Sequence, residues 1–583
     1  MKQHEIASLF AQMADLLEYR GDNPFRIRAY RRASQNLESF SGDLDRLASA
    51  GRLTELSGIG SDLAQKITEY LSTGKIAAYE QLTGSIPRGV FELLEVPGVG
   101  PKTVRLLTQR LGISTLRQLE EAARTHRLRA LPGFQERKEQ NILKGIDVVK
   151  KGRARLHLGL ALPLAHELLG VLRKLPGVSQ VSTAGSLRRM RETVGDLDLL
   201  ASSTNSARVM QAWCRSRFCA RVLASGTTKS SILTPEGFQV DLRVVAPESF
   251  GAALQYFTGS KEHNVRLREL AVRQRLKINE YGVFRLKTNR RLAGREEVDV
   301  YRAVGLAWIP PELREDQGEI DAAKSGRLPQ LVETTDIRGD FHIHTTWSDG
   351  SDRLEDVAKA GAARGYQYLA ICDHSQSLKV AHGMSVARLR QQMAGVRTLN
   401  ARTKRFRLLM GAEVDILADG SMDYPNGVLA DLDFVIGSIH SGFTQSEALL
   451  TRRMVTAMRN PYVTLIAHPT GRLMGQREPY PLDLEAIFKA AKETGTALEI
   501  NAYPKRLDLC DTAAHRANEL GVMLAISTDS HSLDQLGQMT FGIGVARRAW
   551  VEPRSLLNCF SLNELLTWIA RKRQRALRSG VGA

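Results

Sequence analysis

Two sets of residues in this chain have the types and spacing to do chemistry. The first lies in the run from Gly185 to Leu200, GSLRRMRETVGDLDLL. Asp196 and Asp198 are two apart in a stretch ending in Leu199 and Leu200, and a strand sends residues i and i+2 to one face. Carboxylates brought that close repel unless a cation lies between them, and hard cations with oxygen ligands are the ones that hold a triphosphate. Asp241, in GFQVDLRVV, offers a third acid in another apolar run. Upstream, Gly185 allows a turn, Ser186 brings a hydroxyl, and Arg188 and Arg189 bring guanidinium groups suited to phosphate oxygens. Together these predict a two-metal phosphoryl-transfer site.

The second set begins at Ile337, where short apolar strands start to alternate with helical stretches, the pattern of a parallel sheet or barrel. IRGDFHIH ends at His342 and His344, YLAICDH at His374, LLMGAE at Glu413 and FVIGSIH at His440. TLIAH ends at His468, ALEIN at Asn501, and MLAISTDSH at Asp529 and His531. Barrel active sites form at the C-terminal ends of strands, so these residues are expected to converge. His342 and His344 share a face by the period of two, as do Asp529 and His531, and Asp349 in WSDGS adds a ninth candidate ligand. Imidazoles mixed with carboxylates suit Zn²⁺ or Mn²⁺ better than Mg²⁺.

The elements that must position these groups differ along the chain. Residues 1 to about 150 show helical apolar spacing, broken by two similar Gly-rich turns, LSGIGSDLAQKI at Leu56 to Ile67 and VPGVGPKTVRLL at Val96 to Leu107. Gly58, Gly60, Gly98 and Gly100 let backbone approach a phosphate and aim helix amides at it, so helix-hairpin-helix binding of a nucleic-acid backbone is expected. LPGFQERKEQNIL, from Leu131, reads as a divergent third copy. An acidic, proline-containing stretch from Pro310 to about Asp336 reads as a linker, and the final helix ending in RKRQRALR as a solvated basic tail.

At 583 residues the chain needs several cores. Its net charge of +18 is uneven: residues 1–300 hold 47 Lys and Arg against 31 Asp and Glu, an excess of 16, leaving 2 for the remainder. A polyanionic partner is therefore expected for the N-terminal part. Five cysteines without a CxxC pair argue against a zinc finger or a disulfide scaffold. No apolar run approaches membrane-spanning length, and the amphipathic N-terminus does not read as a signal peptide, so a soluble cytoplasmic protein is expected.

With YFTGSKEHN at Tyr256 to Asn264, the first set resembles the palm and thumb of family X DNA polymerases, the group that includes DNA polymerase beta. The resemblance implies that Asp196 and Asp198 hold two Mg²⁺ or Mn²⁺ ions, with Asp241 helping to bind the catalytic one and to prepare a primer 3′-hydroxyl. It implies triphosphate contacts for Ser186 and Arg189 and a sugar-checking segment at Tyr256, Phe257 and Gly259. Asn264 and Arg268 match positions facing nucleotide and template. Met190 stands where many members have Gly, and His263 where eukaryotic members often have an aromatic. The two hairpins resemble those that grip the downstream and primer strands of a gap. Lys66 matches the Schiff-base lysine of the family's deoxyribose-phosphate lyase, although Asp62 replaces a neighbouring lysine of that motif.

The second set resembles the polymerase and histidinol phosphatase (PHP) superfamily, whose distorted seven-stranded barrel holds up to three metals. His342, His344, Asp349, His374, Glu413, His440, His468, Asp529 and His531 match its ligands. HPTGRLMGQREPYPLDLEAI and EINAYPKRLDL further resemble the PHP domain of bacterial family X polymerases. The expected fold is multidomain: helix-hairpin-helix units at 1–85 and 86–153, an α+β nucleotidyltransferase palm at 154–250, a thumb at 251–315, a linker at 316–336 and a (β/α)7 barrel at 337–583. The expected activity is gap filling from deoxynucleoside triphosphates on gapped or primed duplex DNA in base-excision repair, by a monomer. The barrel would add 3′-to-5′ exonuclease, 3′-phosphatase or abasic-site endonuclease activity. The competing readings are a DNA-end-binding scaffold and a PHP phosphatase joined to a nucleotidyltransferase that does not act on DNA.

Overall fold

The structure is a computed structural model and describes residues 2–578 except 40–43, 57, 85, 97, 154 and 404. Ser57 and Pro97, within the two hairpin runs, therefore lie outside the described residues. The N-terminal part is helical, and three of its helices, α1 (Ser61–Thr73), α2 (Pro101–Leu111) and α3 (Glu136–Arg153), are entered by the same turn. Gly58, Gly98 and Gly133 take φ of 75°, 81° and 78°, left-handed values that favour glycine. The next residue then donates its amide three residues back: Ile59 to Leu56 at 3.0 Å, Val99 to Val96 at 2.9 Å, Phe134 to Leu131 at 3.1 Å. Ile59, Val99 and Phe134 are buried. The divergent third copy thus makes the same turn, with Phe134 filling the apolar position. One continuous core, from Ile6 to Val149, runs through both expected helical units.

The palm is a five-stranded sheet of β1 (Val178–Thr183), β2 (Leu197–Ser203), β3 (Arg221–Ser225), β4 (Lys229–Leu233) and β5 (Gln239–Val245), in the order β1-β2-β5-β4-β3. Only β2 and β5 pair in parallel, and their register sets Asp198 beside Asp241. The thumb follows with α4 (Phe250–Thr258) and α5 (Lys261–Arg273). The stretch expected as a linker is packed instead: α6 (Glu319–Lys324) buries Ile320 and Ala323 in the thumb core. Glu319 is fully buried and bonds His263 Nδ1 at 2.6 Å, while Tyr301 Oη lies 3.0 Å from Nε2. His263, at the position that departs from the eukaryotic pattern, is therefore a core contact that ties α6 down.

Seven parallel strands, β6 (Gly339–Ile343), β7 (Tyr368–Ile371), β8 (Arg407–Asp415), β9 (Phe434–Ser438), β10 (Leu465–Ile466), β11 (Ala497–Asn501) and β12 (Leu524–Ser527), pair in sequence order. Bonds from His344 N to Ser530 O and from Ser530 N to His342 O bring the two edges together just past the strand ends. The barrel is nearly closed. Helix α7 (Met539–Arg548) packs beside it, and α8 (Leu562–Arg578) seals the N-terminal ends of the strands. The last helix differs from the solvated tail its charge suggests. Leu565 and Ile569 enter the barrel core, and Lys572 is buried and donates to the Asn460 carbonyl at 3.0 Å. Its amphipathic stripe outweighs its charge.

A buried charge network holds palm and thumb together. Glu297 accepts from Arg188 at 2.7 and 2.9 Å, from Arg314 at 2.7 Å and from the Trp308 indole at 2.9 Å. Arg314 is fully buried, and its remaining donors reach the Ile309 carbonyl. Removing the carboxylate strands a buried guanidinium, a mechanism that costs about 3–5 kcal/mol. Glu297→Ala is accordingly expected to lower the opening free energy of residues 297–314 by about that amount, read by amide hydrogen exchange; unchanged protection would show the network to be dispensable.

Candidate active sites

In the palm, carboxylate oxygens of Asp196, Asp198 and Asp241 all lie within 4.8 Å of one another. Asp198 is on β2, Asp241 is its neighbour on β5, and Asp196 stands just before β2 begins. Burial pushes Asp198 up to about 7, reinforced by the negative charges of Asp196 and Asp241. Burial acts in the same direction on Asp241, but hydrogen bonds from Gln239, Ser231 and Lys229 outweigh it and hold that carboxyl low. Lys229 Nζ lies 3.0 Å from Asp241. An acid held near neutrality beside two others is a donor set that a divalent cation fits.

Gly185 presses on this cluster from the turn above. It has a φ of 59°, and a Cβ there would run into the Asp198 carboxylate, so only glycine lets the turn approach. Ser186 is half-buried in the same turn. Arg189 Nε lies 3.0 Å from Glu315, and its Nη1 donates to the Thr258 carbonyl at 2.5 Å. Burial lowers its pKa. Gly259, with φ of 71°, is also close: a Cβ there would be 3.1 Å from the same guanidinium. Tyr256 and Phe257 meet edge to face at 5.1 Å, and Arg243 stacks on Phe257 at 4.2 Å. Asn264 is bonded to Gln255 and to the Tyr256 carbonyl, both at 2.7 Å. Arg268 is exposed on α5. The acids, the turn and the Tyr256–Gly259 segment are thus brought together, and Arg268, one turn after Asn264 on α5, is on the thumb surface beside Val265 and Val272.

In the hairpins, Gly60 and Gly100 stand at the N-caps of α1 and α2, and a Cβ on Gly60, Gly98 or Gly100 would meet nothing within 4 Å. That open backbone suits a phosphate. Lys66 is 12% exposed, and its ammonium is ion-paired with Asp62.

The barrel centre draws its side chains from the C-terminal strand ends. Three groups have ligand atoms within 4.8 Å: His344, Asp349, His374 and His531; His342, His344 and Asp529; His374, Glu413 and His440. His468 Nε2 joins through Glu413 at 3.1 Å. All nine predicted residues are therefore in one cluster. Several of its polar atoms are not satisfied by one another: His342 Nε2, both nitrogens of His344 and His468 Nδ1 are buried without a hydrogen bond, whereas His374 Nδ1 lies 2.8 Å from Glu413 Oε2. Orphaned ring nitrogens facing carboxylates at 3.3 to 3.7 Å are what a cluster built around cations leaves behind. The electrostatics are correspondingly divided. Burial, with His531 and His374 nearby, drives His344 down to about 3. Burial also opposes charge on His374, but Glu413 and Asp349 raise it to about 10.

A second ring of buried polar groups orients these ligands, and of its members only Asn501 is marked in the sequence as a strand-end residue. Glu499, fully buried on β11, holds His342 Nδ1 at 2.9 Å and accepts the His468 amide at 2.6 Å. Asp415 holds His440 Nδ1 at 2.6 Å, and Asn501 donates to Asp529 at 3.1 Å. Asp373, one residue before His374, fixes the loop leading to Asp349 through Thr345 and Ser348. Such partners set the tautomer of a metal-binding imidazole. The available signal was a charged residue inside an otherwise apolar buried strand, as at Glu499 in ALEIN.

Comparison with known proteins agrees with this layout. The chain matches the helix-hairpin-helix domain over residues 1–76, the SAM-like helix-hairpin-helix tandem over 90–147, the DNA polymerase beta thumb over 253–315 and the PHP domain over 340–502. It is 39% identical over 573 residues, 98% of its own length and 100% of the other protein, to the DNA polymerase/3′-5′ exonuclease PolX of Bacillus subtilis strain 168. A probable phosphatase of Thermoanaerobacter sp. strain X514 is 28% identical over 230 residues, 38% of this chain and 89% of that protein. One of Shewanella sp. strain MR-4 is 27% identical over 252 residues, 41% of this chain and 93% of that protein. With that identity over nearly its whole length, and with hairpin, polymerase beta thumb and PHP matches following one another along it, this chain belongs to the family X DNA polymerases that carry a PHP domain.

Proposed function

We propose that the protein is a DNA-directed DNA polymerase that fills short gaps during base-excision repair and carries a separate 3′-to-5′ exonuclease in its barrel. The observation that supports this best is the pairing of an all-carboxylate cluster in the palm with a histidine-rich cluster in the barrel, on a chain whose hairpins present open backbone at Gly60, Gly98 and Gly100, with Gly58 packed against Asn36 and Arg32. In this reading Asp196 and Asp198 hold two Mg²⁺ or Mn²⁺ ions, and Asp241 shares the catalytic one and faces the primer 3′-hydroxyl. Ser186 and Arg189 receive the triphosphate. Tyr256, Phe257 and Gly259 check the sugar, Asn264 faces the nucleotide, and Arg268 faces the template. Gly58, Gly60, Gly98 and Gly100 hold backbone phosphates without reading bases.

The nine barrel residues would hold up to three Mn²⁺ or Zn²⁺ ions, with Glu499 and Asp415 fixing the imidazoles. Divalent ions at the two centres would supply Lewis acidity to phosphate oxygens and make an attacking oxygen more nucleophilic. The same barrel ligands would serve hydrolysis of a 3′-phosphate or of an abasic site. Lys66 is left out of the proposed chemistry, because its ammonium is occupied by Asp62. Among the described residues no helix is long and apolar enough to cross a membrane, and the proposed setting is the cytoplasm, with the protein as a monomer.

A gapped duplex labelled at the 3′ end, incubated with Mn²⁺ with and without deoxynucleoside triphosphates, separates the two activities. His342→Ala/His344→Ala is expected to extend the primer normally yet lose shortening by on the order of a thousandfold. Asp196→Ala/Asp198→Ala is expected to do the reverse while still binding DNA; extension by that variant would sink the palm assignment. Asp198 also predicts a pH dependence. Its pKa of about 7 means that it is protonated below that pH, and a cation must displace the proton. Ion binding to the palm should weaken by up to about tenfold per unit as pH falls below 7 and should release a proton, measured by calorimetry in buffers of different ionisation enthalpy. Asp198→Asn should remove the proton release.

A further inference from the structure

The barrel is docked on the palm at the turn that carries Ser186 and Arg189. Met190, which ends that turn with a φ of 54°, lies against helix α7, where a Cβ on Gly544 would be 2.5 Å from its Cε. Arg547 Nε binds Glu312 at 2.8 Å, and Arg472 of the barrel binds Glu192 of the palm at 2.7 Å. Met190 therefore serves as the seat of the barrel helix, where glycine would leave no side chain to pack.

The next contact reaches the chemistry. Arg548, the last residue of α7, is 4% exposed at its side chain. Its Nη1 donates to Glu315 at 2.9 Å and to the Arg189 carbonyl at 2.8 Å, while Nε and Nη2 grip Asp511 at 2.8 and 2.7 Å. Glu315 is thus shared: the same Oε1 is 3.0 Å from Arg189 and 2.9 Å from Arg548. The remaining cation near it, Arg191, stands 3.9 Å away. An arginine that must receive a triphosphate is therefore held by a carboxylate, and a cation from the other catalytic domain competes for that carboxylate.

We propose that Arg548 is a positioning residue for nucleotide incorporation: by binding Glu315 and the Arg189 carbonyl from the barrel, it frees the Arg189 guanidinium to turn to the incoming triphosphate. The proposal rests on the reading of Arg189 as a triphosphate contact. Without Arg548, Glu315 has Arg189 as its one close partner and keeps it. Without the Glu315 charge, Arg189 keeps only a neutral acceptor, the Thr258 carbonyl, to leave.

Steady-state incorporation on a gapped duplex, with shortening of the same labelled 3′ end as the second readout, tests this. Arg548→Met is expected to raise the KM for the nucleotide about tenfold with kcat within about twofold, whereas Glu315→Gln lowers KM. The double variant should return KM to within about threefold of wild type, because the charge left unmatched by the first change is removed by the second. Arg548→Lys keeps a cation facing Glu315 and should recover part of the loss. Shortening by the barrel should be unchanged in all of them, which also reports that the domain is folded. An unchanged KM in Arg548→Met, or a double variant no better than that single one, overturns the proposal while leaving the polymerase reading intact. A wild-type chain that extends no primer overturns that reading, and this one with it.

Discussion

The architecture follows from the need to hold ionisable groups close together without unfolding the protein. Three carboxylates within 4.8 Å in the palm, and nine ionisable side chains in the barrel, repel or stay unsatisfied unless each is held from behind. Both sites solve this with parallel strands, which bring residues from distant parts of the sequence side by side at their ends. In the palm the β2–β5 pairing does so, and a glycine turn closes over the acids. In the barrel seven strands do so at once, and a ring of buried acids fixes the imidazoles. The rigid hydrophobic core beneath is what makes such positions affordable.

The two sites are not independent modules on a tether. Palm and barrel residues belong to one apolar cluster, and the segment between them is folded against the thumb. A Cβ on Gly159 of the palm would collide with Pro504 of the barrel, so that contact is backbone-close. Loop 503–509, which includes Pro504, also carries Arg506 beside Asp529 and is pinned by Arg472, the residue that reaches Glu192 of the palm. Each domain thus contributes to the wall behind the other's site. A structure of this kind transmits a shift at one site as a change of partners in an ion pair, which is discrete, rather than as a gradual deformation of packed interior.

How much of this was legible in the sequence depended on the range of each interaction. Asp196 and Asp198, the glycines of the hairpins, and histidines at the ends of apolar runs are local patterns, and the structure puts them where a period of two or a turn requires. Residues 316–336 and the last helix are not legible locally for one reason: their charge reads as solvent exposure, whereas Glu319 is buried against His263 and Lys572 is buried against carbonyls. Their partners lie far away in sequence, and nothing local announces them. The same holds for Arg188 and Arg189, which look alike in the sequence yet are bound to Glu297 and Glu315 respectively. Met190 read as a departure from a family pattern, and its reason is a helix some 350 residues later.

The ligand types explain how synthesis and hydrolysis can share one chain. The palm cluster is all oxygen, a set that Mg²⁺ tolerates with its waters in place. The barrel cluster is dominated by imidazole, which favours Mn²⁺ or Zn²⁺ and gives little to Mg²⁺. Selectivity of this kind comes from donor chemistry rather than from a gate. Burial and neighbouring acids favour the protonated form of Asp198, and Glu413 and Asp349 favour that of His374, so a cation entering either centre displaces a proton. A shared solution can therefore load one centre ahead of the other, and in the proposed scheme the state of the metals, more than any motion of the domains, decides whether a 3′ end is extended or removed.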